Sequence, residues 1–61
     1  MSYSSEMRVL RARFGLTQAD MAKLLEISLN EIAGVELGRV KISREQYREW
    51  REKVEAERRA A

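Results

Sequence analysis

The sequence contains neither cysteine nor histidine. Disulfide frameworks, thiol nucleophiles and cysteine-ligated zinc are thereby excluded, as is the imidazole that serves most proton shuttles and transition-metal sites. Only carboxylates, hydroxyls and cations remain for chemistry. No nucleophile-base arrangement is visible among them, so the expectation is a non-enzyme without cofactor, metal or small-molecule ligand. Proline is absent too, and no stretch alternates apolar and polar residues long enough for a strand. Long apolar runs are also missing: Ile32-Ala33-Gly34-Val35 is the longest, far short of the about 20 residues that span a bilayer. Residues 1–6 lack the basic-then-apolar order of a secretory signal, so a cytoplasmic, nucleoid-associated protein that touches no membrane is expected.

What is present is helix-forming. The 61 residues are 44% hydrophobic and 36% charged, enough for one small domain over 1–61 with a thin core. Apolar residues recur at spacings of three and four, which predicts an all-α fold. Thr17, Ser28 and Ser43 each precede such a stretch and have a polar acceptor three residues on: Asp20, Glu31 and Gln46. That is the N-cap pattern, and the latter two have the Glu or Gln of a full capping box. Each cap is also flanked by a hydrophobic staple pair, namely Leu16 with Met21, Ile27 with Ile32, and Ile42 with Tyr47. Helices are therefore predicted from Gln18 to about Leu25, from Leu29 to about Leu37, and from Arg44 to about 58. A first helix beginning after Ser4 or Ser5 would carry Met7, Leu10 and Phe14 on one face and end at Gly15, with Gly38 in the same role after Leu37.

Two short helices joined by Glu26 to Ser28, with Ala22 where they approach and Ile27 at the corner, describe either a helix-turn-helix over about 17–37 or an ordinary helical hairpin. Here the residues carry a resemblance. Leu10-Arg11, Gly15-Leu16-Thr17-Gln18, Met21-Ala22-Lys23-Leu24-Leu25, Ile27-Ser28, and Ile32, Val35, Glu36 and Gly38 resemble the Cro/C1-type helix-turn-helix domains of phage repressors and bacterial regulators, over about residues 5–54. The resemblance implies a small four-helix, lambda repressor-like domain lacking the fifth helix common in that family. It also implies a double-stranded DNA partner. In such a domain helix 3 reads the major groove, with Leu29, Asn30, Glu31, Ala33 and Gly34 toward base edges. Gln18, Lys23, Ser28, Arg39, Lys41 and Arg44 would contact phosphates, with Arg44 a candidate for the minor groove. The resemblance also has Gln18 brace the recognition helix; its lesser alternative is a plain polar residue of a first helical turn. Arg11 and Glu36 match a partly buried ion pair that ties helix 1 to the end of helix 3.

Several positions sit less comfortably in that pattern. Asn30 suits adenine and Leu29 a thymine methyl, but Glu31 is open to two roles, accepting from cytosine or completing the box with Ser28. Gly34 stands where relatives carry a longer polar residue; it would either admit close backbone approach to DNA or relieve crowding. Glu26 stands where many relatives have glycine, so the turn either differs or accepts strain. Residues 26–38 hold three glutamates and no cation, which is unfavourable beside phosphate. The cations flank this segment.

In helix 4, Tyr47, Trp50 and Val54 form one stripe expected to close the core over helices 1 and 3. Glu49 with Lys53 and Glu55 with Arg59 are spaced as surface ion pairs. Without a fifth helix, part of the stripe is expected to stay uncovered, which favours a homodimer through helix 4 and a strand-like Val40 to Ile42 on an inverted-repeat operator. A protein-interaction module on the same fold, antitoxin-like or antirepressor, is the competing expectation.

Overall fold

The computed structural model describes residues 2–60. Its order is α1 (Ser4–Arg13), α2 (Gln18–Leu25), α3 (Leu29–Glu36) and α4 (Arg44–Ala60). No strand occurs among the described residues, and Lys41 to Ser43, expected to be strand-like in part, form a plain connection. None of the helices is long and apolar enough to cross a membrane.

The helix starts follow from the caps. Thr17, Ser28 and Ser43 each accept at Oγ from the backbone N–H three residues on, at 3.0 Å in all three cases. Only the first cap is reciprocal: Asp20 accepts from the Thr17 N–H at 3.0 Å, closing a full capping box. The expectation for Glu31 and Gln46 is thus corrected. A short Asp side chain reaches back across one turn, whereas the side chains of Glu31 and Gln46 make no such bond to their cap residues.

The helix ends share one device. After α1 the Leu16 N–H returns to Arg11 O at 3.0 Å and the Gly15 N–H to Ala12 O at 3.1 Å. After α2 the Ile27 N–H returns to Ala22 O and the Glu26 N–H to Lys23 O; after α3 the Arg39 N–H returns to Gly34 O and the Gly38 N–H to Val35 O. This nested pair of bonds is the Schellman closure, which needs one left-handed residue. Gly15, Glu26 and Gly38 supply it, at φ 65°, 59° and 80°. The turn between α2 and α3 therefore keeps the glycine geometry with a glutamate in it, and the strain foreseen for Glu26 is accepted.

The core is drawn from every helix: Met7 and Leu10, Met21, Ala22 and Leu25, Ile32 and Val35, Trp50 and Val54. Phe14 and all members of the three staple pairs lie in this cluster or against it. Burying an aliphatic side chain of this kind contributes about 1.5 to 3 kcal/mol, so so small a core leaves the caps and turns a real share of the stability. α3 packs on α1 and α2, while α4, expected to close over helices 1 and 3, packs chiefly on α2.

That packing corrects the helix 4 reading. Trp50 and Val54 are 5% and 0% exposed within the single chain, and Tyr47 is half-buried against the core. Trp50 and Val54 are thus covered within the chain, and of the stripe only Tyr47 stays partly open. The anticipated Glu49 with Lys53 and Glu55 with Arg59 bridges are absent: Arg11 with Glu36 is the one ion pair among the described residues. Solvated charges on a helix surface gain too little from pairing to hold two long side chains in place.

Candidate nucleic-acid interface

The α3 helix turns Ile32, Val35 and Glu36 inward and leaves an outer face of Leu29, Asn30, Ala33 and Leu37. Leu29 is 50% and Leu37 67% exposed; Asn30 is exposed and Ala33 half-buried. This outer face carries no charge. Of the three glutamates around it, Glu36 points into the fold, Glu26 sits at the turn and Glu31 is half-buried on the flank. The negative segment visible in the sequence is therefore resolved into an uncharged face with its acids displaced to the sides.

Glu36 is 5% exposed and fully satisfied. Arg11 grips it through two parallel bonds, Nε to Oε2 at 2.9 Å and Nη2 to Oε1 at 3.0 Å. Gln18 Nε2 donates to Oε1 at 3.1 Å, and Arg11 Nη1 donates to the Leu16 carbonyl at 3.1 Å. Burial alone would raise the Glu36 pKa, but hydrogen bonds from Arg11 and Gln18 and the Arg11 charge outweigh it, leaving the carboxyl below its ordinary value. The same bond to Glu36 outweighs desolvation and raises the Arg11 pKa. Gln18 is thus engaged with the end of α3.

The remaining sites named from the sequence fall as follows. Ser28 is exposed, and its hydroxyl serves as the α3 cap while keeping its own O–H to donate. Lys23 is exposed on α2. Arg39, Lys41 and Arg44 are all exposed along the segment leaving α3, and Arg48 follows one turn into α4. Gly34 lies apart from the outer face: it is buried, its carbonyl accepts from both Arg39 N–H at 2.8 Å and Val40 N–H at 3.1 Å, and a Cβ there would meet Val40 Cγ2 at 2.7 Å. Relief of crowding, one of the two roles open to it, is the one the packing matches.

Sequence reasoning missed three participants. Leu37 shares the outer face at eight residues from Leu29, a spacing that helical periodicity carries. Val40 covers Gly34, a contact that no local pattern signals. Tyr3 stacks on Tyr47 across the ends of two helices, with ring centroids 4.7 Å apart.

Beyond geometry, residues 3–52 match a family described as a helix-turn-helix domain. No curated protein and no solved structure matches the chain. Two short helices joined by a three-residue turn, capped at both starts and fastened through Glu36, are what that match covers: the chain belongs to the helix-turn-helix domain family.

Proposed function

We propose that this helix-turn-helix domain is a transcription regulator that binds double-stranded DNA in a sequence-specific manner, with α3 in the major groove. The observation that carries the reading is the pairing of an uncharged outer α3 face with the exposed cations Arg39, Lys41 and Arg44 in the segment that follows it. Base edges are read by hydrogen-bonding and apolar groups, while phosphates are held by cations, and the two sets are separated here in that way. Asn30 would bond adenine N6 and N7, and Leu29 and Ala33 would pack on thymine methyls. Lys23, Ser28 and the second amide hydrogen of Gln18 would add phosphate contacts. Glu31 flanks the face as an acceptor for cytosine N4. Gly34 supports the following loop and makes no base contact.

The motif quoted above supports the finer assignment as a Cro/C1-type repressor. An eight-residue reading helix offers few base contacts, so two copies on an inverted repeat would supply the specificity one lacks. Their contact would lie outside Trp50 and Val54, which the fold already covers. Selection of bound duplexes from a random pool tests the whole reading. The expected result is a two-fold symmetric motif with adenine and thymine in each half, lost on Asn30→Ala at one position only, by about 1 to 3 kcal/mol of discrimination. Failure to enrich any sequence refutes it.

One observation favours the competing reading of a protein-interaction module. Leu29 at the start of α3, and Leu37 and Val40 just beyond its end, are exposed apolar side chains. Salt separates the two: duplex binding weakens steeply with ionic strength, each neutralised phosphate contributing roughly 0.9 to the slope, and falls with Arg39→Ala or Lys41→Ala. A protein held on the apolar face keeps its affinity in both.

A further inference from the structure

A second cationic feature lies on α4. Tyr3 and Tyr47 stack with their planes 15° from parallel, and the Arg51 guanidinium carbon lies 5.8 Å from the Tyr47 ring centroid. These three side chains, with Arg44 and Arg48, line a recess of about 200 Å³. Three guanidiniums and two phenols make a wall rich in donors, and no carboxylate lines it. Glu6 and Glu55 line a neighbouring recess, which shares Tyr47 and Arg51 with this one.

Arg44, Arg48 and Arg51 occur at i, i+4 and i+7, the spacing that stacks like charges on one face of a helix and weakens it. No described carboxylate lies within 4.0 Å of any of them, since Arg11 with Glu36 is the one such pair. A cationic cluster without an ion-pair partner, set beside two stacked rings, is matched by a ligand carrying several negative oxygens. Guanidinium groups bind phosphate oxygens in pairs, and phenol hydroxyls donate to them.

We infer that Tyr3, Tyr47, Arg48 and Arg51, with Arg44 at the rim, form a binding site for a phosphate group. The group comes either from the backbone of a bound duplex or from a free phosphorylated small molecule. The site stands independently of base reading by α3.

Titration of the full chain with inorganic pyrophosphate, followed through the Tyr3 and Tyr47 ring resonances, tests it. A saturable shift is expected, with a midpoint raised at least tenfold in Arg48→Gln/Arg51→Gln; Arg51→Lys, which keeps the charge but loses the fork, falls between. Arg44→Gln/Arg48→Gln alters exposed side chains only and serves as a second folded variant with the same expected weakening. A duplex arm assigns the source. A slope of log K against log salt that falls by about 0.9 or more in the double variant places a backbone phosphate in the recess. An unchanged slope with pyrophosphate binding lost assigns it to a free phosphorylated ligand. Ring resonances unmoved by both pyrophosphate and duplex, or a midpoint unaltered in the folded variants, overturns the site.

Discussion

Val40 Cγ2 occupies the space into which residue 34 would project a side chain, 2.7 Å from where a Cβ on Gly34 would lie. Val40 is also tethered there, because its N–H bonds the Gly34 carbonyl at 3.1 Å. In a helix interior alanine is ordinarily favoured over glycine by about 1 kcal/mol. Here the clash with a stiff β-branched side chain opposes that gain, so Gly34→Ala is expected to lower stability by roughly 1 kcal/mol. Adding Val40→Ala should recover the loss. Denaturant unfolding of the two single variants, the double variant and the parent gives the coupling directly; additive effects would refute the contact.

Acid should weaken the fold through Glu36. Its pKa is lowered in the folded state, so it contributes stability above its unfolded value, near 4.5, and that contribution is lost as pH falls through the folded pKa. Asp20, lowered mainly by its hydrogen bonds with Thr17, acts in the same direction. Glu36→Gln should flatten the decline of stability below that pH, with Asp20→Asn removing a further part. Melting curves between neutral pH and pH 3 that fall equally steeply in the parent and both variants would contradict this.

Removing Arg11 should cost more than a surface cation does. Arg11→Met leaves the Glu36 carboxylate buried with only Gln18 to satisfy it. The Arg11 side chain is itself 25% exposed, so the expected loss is roughly 2 to 3 kcal/mol, below the 3 to 5 kcal/mol typical of a fully buried pair. Arg8→Met, on the exposed side of α1, should change stability little. Chemical denaturation of the two variants decides between them.

Glu26 holds a left-handed conformation that two glycines hold at the equivalent places. Glu26→Gly should therefore raise stability by about 0.5 to 1 kcal/mol, the relief of strain less the entropy gained by the unfolded chain. For a domain this small that is a rise of roughly 2 to 8 °C in Tm. Glu26→Val should do the opposite. A Glu26→Gly melting temperature at or below the parent's would argue against strain at this turn.

If Leu29 and Ala33 pack on thymine methyls, replacing thymine by deoxyuridine in the selected duplex should weaken binding while leaving its salt slope intact, because no phosphate contact changes. Leu29→Ala should lose most of that sensitivity. Equal affinity for the two duplexes, measured by titration, removes the apolar contribution from the reading.

Local signals were legible where they are local in cause. The starts at Gln18, Leu29 and Arg44 follow from caps whose acceptor and donor are three residues apart, and Gly15 and Gly38 end their helices through a conformation few other residues adopt. The pairing of Arg11 with Glu36 was readable only through resemblance, because the partners are 25 residues apart. The third member, Gln18, was expected through the same resemblance to brace the recognition helix as well as to reach a phosphate, and it is bonded to that same carboxylate. Trp50 and Val54 were expected in the core and lie there, but the helix they pack on was misjudged, since periodicity reports which face of α4 is apolar and not what lies against it. The same limit hid Val40 over Gly34 and Tyr3 on Tyr47.

Glu36 gathers bonds from Arg11 on α1 and Gln18 on α2 at the end of α3, while among the described residues no side-chain hydrogen bond joins α4 to another helix. The domain is in mechanical terms a block and a lever: three helices bolted at one corner, and a fourth held by grease alone. Substitutions that loosen α4 should therefore leave the three-way bonding at Glu36 in place, whereas loss of Glu36 frees α1, α2 and α3 from one another.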